Sequence, residues 1–298
     1  MNRKAEAGLF ISIISVSTAA IIIRSVSESI SPLTISFYRL FFTVLFLLPF
    51  FIVFRKYREE LFNLDKKTIL LLVLIGIILS FHFATWVTSL DYTSVASSVI
   101  LVTAHPILVA PVAYYFLKEK LSLFNIIGIL ISLFGVIILV YGNYEFGVQS
   151  INTLFGNILA ILGGIFAGLY ILGGRQLRKK VSVIPYAFIV YLTSTIILFF
   201  MCILSNSKII GLPIRDYELF ILMAFIAGIL GHTLYNWSLK FIKASLASVA
   251  LLGEPLGSTI FAFLVPWINE IPSKYTFIGG AIILFGIYLT SKKINEKI

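Results

Sequence analysis

The chain has 298 residues, of which 59% are hydrophobic and 12% are charged, whereas soluble domains are about 45–50% apolar and about 25% charged. This composition excludes an ordinary water-soluble globular protein. The formal net charge of +10 does not indicate a nucleic-acid partner, because no basic run interleaved with aromatic residues lies in a polar segment.

Apolar segments long enough to cross a bilayer follow one another along the chain. A membrane-spanning helix needs about 20 predominantly apolar residues, and these segments lack the alternation typical of outer-membrane strands. Since backbone groups in lipid must be satisfied internally, we predict an all-α integral membrane protein with ten transmembrane helices. The predicted spans are 7–23, 33–54, 68–87, 95–117, 121–142, 154–173, 183–204, 219–237, 245–267 and 275–291.

The first predicted span is expected to be a retained helix rather than a cleavable signal. It is followed by Arg24 and Glu28 and not by a cleavage site of small residues. Glycines in spans 5, 6 and 10 predict close helix packing. They are Gly128, Gly135, Gly164, Gly168, Gly279, Gly280 and Gly286.

Lysine and arginine are unevenly distributed between alternate loops. With a cytoplasmic N-terminus, 18 of the 23 Lys and Arg residues lie on the cytoplasmic side, four lie outside, and Arg39 lies within a span. The positive-inside rule therefore predicts that both termini face the cytoplasm, with the chain in the cell (inner, cytoplasmic) membrane. Adding or removing one span would spoil this asymmetry, so the charges also favour ten spans.

The second half of the chain repeats landmarks of the first half. A shift of 149 residues places Pro106 on Pro255 and, after a two-residue insertion, Glu119 falls on Glu270. We predict two five-helix units, 1–146 and 147–298. Because five is odd, the units enter the membrane from opposite sides, as an inverted repeat. Such repeats recur in secondary transporters, where rocking of one half exposes a midplane site to alternate sides.

Five short motifs carry a family resemblance. They are 31–32 (SP), 38–39 (YR), 92–97 (YTSVAS), 116–121 (FLKEKL) and 251–255 (LLGEP). With these motifs the chain resembles the EamA type of the drug/metabolite transporter superfamily over essentially its whole length. The resemblance implies ten helices and a central cavity lined mainly by spans 1, 3, 4, 6, 8 and 9. It also implies secondary transport, often export, of amino acids or related small metabolites, with exchange or proton coupling proposed for some members.

Glu254 is the only acidic residue deep within an apolar span. A charged residue at the bilayer centre costs about 2.5–3.5 kcal/mol on insertion scales, and Pro255 interrupts the helical hydrogen bonds beside it. Glu254 is therefore the first candidate site residue, which exchanges a proton during transport or holds a cationic substrate group. The alternative is a neutral acid bonded to a carbonyl that Pro255 leaves free.

The repeat places His105, followed by Pro106, at the position equivalent to Glu254. Imidazole titrates near neutral pH, so His105 is a candidate partner of Glu254 in a proton relay, or else a packed histidine. Pro106 and Pro255 are the predicted helix breaks and hinges.

Spans 3 and 8 each place polar and aromatic side chains on one helical face. His82 and Trp86 are four residues apart, and His232, Tyr235 and Asn236 follow spacings of three and four. The shift of 149 matches Trp86 with Tyr235, so paired rings are expected to line the cavity and to cover apolar or cationic substrates. Ordinary helix packing is the alternative.

Arg39 is the only cation inside a predicted span. It either snorkels to the outer interface or anchors a substrate carboxylate or helix carbonyls, and the adjacent Tyr38 completes the candidate cavity set. No catalytic, nucleotide-binding or metal-binding motif is present, so we predict no enzyme, catalytic residue, metal or cofactor.

The predicted function is secondary active transport of small metabolites by an exporter or exchanger that works by alternating access, with proton coupling as an option. The expected partners are a small-molecule substrate and membrane lipids. The alternatives are a flippase for lipids or lipid carriers, a channel, and an intramembrane enzyme acting on lipid-linked material.

Overall fold

The computed structural model describes residues 3–145, 151–268 and 274–291. These residues form helices and connecting turns without a strand, as the all-α prediction requires. The long helices are labelled α1 to α10 in chain order. Their bounds are Arg3–Ser25, Pro32–Val53, Lys66–Ser89, Val95–Phe116, Leu123–Glu145, Ile151–Leu177, Val183–Leu204, Ile214–Ser238, Ala244–Leu264 and Lys274–Ser291.

Eight of these helices, α1 to α4 and α6 to α9, are long and apolar enough to cross a membrane. Within α5 and α10 the apolar stretches are shorter, Leu123–Ile138 and Phe277–Thr290. Large apolar side chains such as Leu70 and Phe200 are exposed on the outside of the bundle, where a lipid solvent replaces water. The chain is a multi-pass membrane protein.

At one end of the bundle, hydrogen bonds join the α1–α2 connection to the α3–α4 connection and to the start of α8. Arg24 Nη2 donates to the carbonyl oxygen of Thr93 at 2.9 Å. The hydroxyl of Ser27 donates to Asp216 Oδ2 at 2.7 Å, and the Ser27 amide donates to Asp216 Oδ1 at 3.0 Å. Asp216 is fully buried, so these bonds satisfy a carboxylate that would otherwise be costly to bury.

At the opposite end, hydrogen bonds join the α2–α3 connection to the α6–α7 connection, and the α4–α5 connection to the start of α9. The amide of Ser182, which precedes α7, donates to Glu60 Oε1 at 2.6 Å. Glu119, between α4 and α5, accepts from the amide of Ser245 in α9 at 3.3 Å. Alternate connections therefore share an end, as they must in a bundle whose successive helices run up and down.

Two helices are interrupted where the sequence has its landmark prolines. In α4, helix Val95–Thr103 ends at a turn and Pro106 begins the next helical segment. In α9, a 3₁₀ turn over Leu251–Gly253 precedes the segment Glu254–Leu264, with Pro255 in its first turn. Proline lacks an amide donor and clashes with the carbonyl four residues earlier, which explains both interruptions. The hinge role of these prolines stays a prediction.

Helices α5 and α10 pack closely and run antiparallel. Asn125 Nδ2 donates to the carbonyl oxygen of Thr290 at 2.8 Å. A Cβ atom added to Gly128 would lie 2.6 Å from the carbonyl oxygen of Gly286, and one added to Gly135 would lie 2.7 Å from that of Gly279. The predicted close packing at these glycines is confirmed.

We expect Gly128→Ala to destabilise the protein by about 1–3 kcal/mol, the usual cost of overpacking. The added methyl group would meet backbone atoms, which cannot move aside as a flexible side chain can. Thermal unfolding of the purified protein in detergent measures the effect. Gly253→Ala is the matched control, because its added Cβ would lie 3.4 Å from Ile13 Cγ2 in ordinary contact. Equal melting temperatures for the two variants would contradict the prediction.

Candidate functional site

A cavity lies between helices from the two halves of the chain. Side chains from α1 to α4, α6, α8 and α9 line it, so α2 is added to the helices that the family resemblance implied. The volume open to the centre of a water molecule is about 50 Å³, compared with about 10–15 Å³ for one water. The polar and aromatic lining residues are Arg39, His82, Trp86, Thr103, His105, Tyr170, His232, Tyr235 and Glu254.

His82 and Trp86 form one wall of the cavity from α3. His82 Nδ1 lies 2.9 Å from the carbonyl oxygen of Gly163. A carbonyl only accepts hydrogen bonds, so Nδ1 carries the hydrogen and the neutral ring keeps an acceptor at Nε2. The ring stacks on Trp86 with centroids 5.9 Å apart and lies 6.5 Å from the ring of His232. Across the described part of the chain, no three metal-ligating side chains are grouped as a metal site.

Arg39 projects from α2 into the interior instead of snorkelling to the surface. The side chain is 1% exposed, and its Cζ lies 4.4 Å from the centroid of Phe83 and 5.6 Å from that of Trp86. Its three nitrogens have no hydrogen-bond partner among the described residues. The guanidinium is thus held by aromatic faces while its N–H groups stay free for another acceptor.

Glu254 and His105, the equivalent positions of the repeat, line the same cavity. Both are largely buried, at 9% and 5% exposure, and His105 Nδ1 has no hydrogen-bond partner in the part of the chain that the structure describes. Glu254 takes part in neither of the two ion pairs found within that part, which both lie outside the cavity. The cavity is therefore lined by one acid and one guanidinium that do not form an ion pair within 4.0 Å of each other.

Two candidate residues do not line the cavity. The Asn236 side chain lies behind its wall, where Nδ2 donates to the hydroxyls of Tyr170 and Tyr191. Tyr38 points elsewhere, because its hydroxyl donates to the carbonyl oxygen of Ile209 at 2.7 Å and its ring stacks on Phe220. Asn236 can position Tyr170, whereas Tyr38 belongs to an aromatic cluster beside the α7–α8 connection.

Tyr170 and Thr103 line the cavity but were not predicted. Tyr170 lies seven residues after Gly163, on the same face of α6, and the carbonyl of Gly163 contacts His82. Extending the glycine-rich face of α6 by seven residues from Gly163 would have identified Tyr170 as a candidate cavity residue. Thr103 bonds to the carbonyl of Val99 within its own helix, and no signal in the sequence distinguishes it.

A model of the EamA-like transporter family matches residues 3–141 and again residues 154–292. The chain belongs to the EamA-like transporter family. It is therefore a membrane transporter of the drug/metabolite transporter type, as the motifs suggested, and the family describes transport rather than enzymatic catalysis. The two matches lie one in each half of the chain.

Similar proteins from distant organisms are also named as transporters. An "uncharacterized transporter" of Archaeoglobus fulgidus is 25% identical over 99% of this chain and 100% of its own length. YyaM of Bacillus subtilis, with the same description, is 25% identical over 77% of this chain and 75% of its own. Mouse "solute carrier family 35 member G1" is 25% identical over 92% and 75%.

Among the solved structures that share the fold of this EamA-like chain is a crystal structure of a protein. It superposes with a TM-score of 0.76 and covers 98% of this chain and 97% of its own, at 15% sequence identity. At that identity the likeness shows the fold alone.

Proposed function

We propose that the chain is a secondary active transporter that exports or exchanges small metabolites, such as amino acids or related compounds, by alternating access. The observation that carries the proposal is the central cavity, to which both halves of the chain contribute polar side chains. Ionisable groups within a membrane are costly and therefore rare, and where they occur they usually mark a substrate or ion pathway.

The alternating-access mechanism rests on two inverted five-helix units, 1–146 and 147–298, with ten membrane crossings in total. The family model matches twice, and α5 and α10 pack antiparallel. Trp86 and Tyr235, equivalent under the repeat, face the same cavity. A pseudo-two-fold axis through the cavity would relate these features, and rocking of one unit against the other would open its two ends in turn.

The orientation follows from charge. Most of the lysine and arginine residues lie in the connections that share an end with Glu60 and Glu119. By the positive-inside rule this end faces the cytoplasm, as do both termini, in the cell membrane. Glu254, which can carry a proton, and His105 are the groups through which proton coupling would act.

We expect a cysteine in the cavity to react from both sides of the membrane, but at different moments. The single native cysteine, Cys202, would be replaced by alanine, and Thr103→Cys would be treated with a membrane-impermeant thiol reagent in oriented vesicles. The reagent should label the protein from either face, since each end of the cavity opens in turn. Phe200→Cys is the lipid-facing control, because Phe200 is 56% exposed on the outer surface of the bundle.

The same vesicles separate the alternatives. Labelling from one face only would contradict alternating access. A steady ionic current in planar bilayers would indicate a channel, and scrambling of labelled lipid without exchange of any soluble metabolite would indicate a flippase.

A further inference from the structure

Side chains that line the central cavity carry hydrogen-bond donors that have no acceptor in the described part of the chain. They are Nε, Nη1 and Nη2 of Arg39, Nε1 of Trp86 and the hydroxyl of Tyr235. These three side chains are only 1–3% exposed. Guanidinium and indole N–H groups donate and cannot accept. The part of the cavity beside Arg39 and Trp86 is therefore suited to a ligand group that accepts hydrogen bonds.

A second buried arginine shows how the same fold satisfies a structural guanidinium. Arg178 is 2% exposed, and it donates from Nε to the carbonyl oxygen of Asn236 at 3.0 Å and from Nη1 to that of Val181. Arg39 has no such carbonyl among the described residues. Its contacts with Phe83 and Trp86 are cation–π contacts, which stabilise the charge but leave its N–H groups without acceptors.

Glu254 does not fill the role of the missing acceptor. It lines the cavity with Arg39, but the two side chains form no ion pair within 4.0 Å, although both lie in the described part of the chain. The other titratable groups that face the cavity are histidine and tyrosine side chains, none of which carries a negative charge in its neutral form. They are His82, His105, Tyr170, His232 and Tyr235.

We propose that Arg39 binds the anionic group of the substrate. The cavity then takes a small organic acid whose carboxylate accepts hydrogen bonds from Arg39. Trp86 Nε1, which has no hydrogen-bond partner among the described residues, supplies a further donor. The planar guanidinium matches the two oxygens of a carboxylate, and the cavity of about 50 Å³ restricts the ligand to a small one in this conformation. This inference rests on the proposed transport function and names the chemistry of its substrate.

Two kinds of ligand share this chemistry. A simple carboxylic acid would use Arg39 alone and would bring no cationic group of its own to Glu254. An amino acid would place its carboxylate on Arg39 and its ammonium group near Glu254. Matched pairs of ligands that differ only in the carboxylate or only in the amino group distinguish the two.

The test compares acids with their amides on the purified full-length protein in detergent at fixed ionic strength. The pairs are propionate with propionamide and alanine with alaninamide, measured by calorimetry and thermal shift. We expect each binding acid to bind at least about tenfold more tightly than its amide, which is about 1.4 kcal/mol. Tighter binding of alanine than of propionate would assign the ammonium to the site, and equal binding would indicate a simple acid. Amides that bind as well as acids, or acids that do not bind, would overturn the inference.

Variants of Arg39 provide the second readout. Arg39→Gln should weaken acid binding at least about tenfold and Arg39→Lys less, because lysine keeps the charge but loses the paired geometry. The ligand-free melting temperature should change little in Arg39→Gln, because loss of the cation–π contacts with Phe83 and Trp86 is offset by removal of a buried charge that has no hydrogen-bond partner among the described residues. Arg24→Gln is the control, because the exposed Arg24 donates to a loop carbonyl outside the cavity.

The outcomes separate the two proposals. Wild-type affinity for acids in Arg39→Gln would overturn the anion contact, and if that variant misfolds, the comparison of acid with amide on the wild-type protein still decides. Wild-type affinity for acids in Arg39→Gln, together with labelling of Thr103→Cys from both faces, would leave alternating access standing while the anion contact fails. Labelling from one face alone would count against the transport mechanism and not against the ligand chemistry.

Discussion

Glu254→Gln is expected to lower the rate of transport driven by a proton gradient by on the order of a hundredfold. This is the scale of the loss when a side chain that transfers a proton is removed. Glutamine has nearly the same shape but cannot take up or release a proton. Substrate exchange at equal pH on both sides should survive, because exchange needs the cavity to reorient without net proton movement. Proteoliposomes with and without an imposed pH gradient measure the two activities separately.

The control for Glu254→Gln is Glu218→Gln, which removes an exposed acid near the start of α8. It should keep both activities at the level of the unaltered protein. If Glu254→Gln still responds fully to a pH gradient, Glu254 does not carry the proton. If exchange is lost as well, the carboxylate contacts the substrate itself.

The site residues that were easiest to predict from the sequence are ionisable side chains within apolar spans. Glu254, His105 and Arg39 stand out because ionisable groups are rare in apolar spans, and all three line the cavity. Tyr170 does not stand out, since an aromatic ring is ordinary in such a helix. The length and apolar character of the helices were predictable for the same reason, because lipid leaves few alternatives for the backbone.

Which face of a helix points inward was harder to predict. Tyr38 and Arg39 are neighbours, about 100° apart around α2, yet only Arg39 lines the cavity. Apolar residues surround both, since α2 meets protein on one side and lipid on another, so the hydrophobic pattern does not separate these faces. Asn236 differs in the same way from the adjacent Tyr235. The position of Glu270, the predicted repeat partner of Glu119, lies outside the described residues.

Glu119 shows a third limit of sequence reasoning. It is flanked by Lys118 and Lys120 in a connection, where charged residues are usually solvated. In the structure it is 6% exposed and joins the two halves. Its carboxylate accepts from Arg175 Nε at 3.1 Å, from the amide of Ala244 at 3.0 Å and from other donors of α9.

Glu119→Ala should therefore lower the free energy of unfolding by about 3 kcal/mol or more, the scale for breaking a buried ion pair from one side. The change would remove the acceptor of free amides at the start of α9 and the acid beside Arg175. A double-mutant cycle with Arg175→Ala, measured by denaturant unfolding in detergent, should give a coupling of about 1–3 kcal/mol.

The exposed pair Arg55 and Glu59 is the matched control for this cycle. Their side chains are 82% and 53% exposed, although the two atoms are only 2.5 Å apart, and an exposed pair of this kind couples by about 0.3–0.5 kcal/mol. Equal coupling in the two cycles would show that burial does not strengthen the contact of Glu119 with Arg175.

The contact of Glu119 also bears on the transport cycle, because it spans the two halves at the end predicted to face the cytoplasm. If one half rocks against the other, this contact breaks whenever that end opens, so it stabilises the state closed there. Glu119→Ala should then increase labelling of Thr103→Cys from the cytoplasmic face and decrease it from the other face. A variant that unfolds more easily but labels as before would show that the contact stabilises the fold without selecting a conformation.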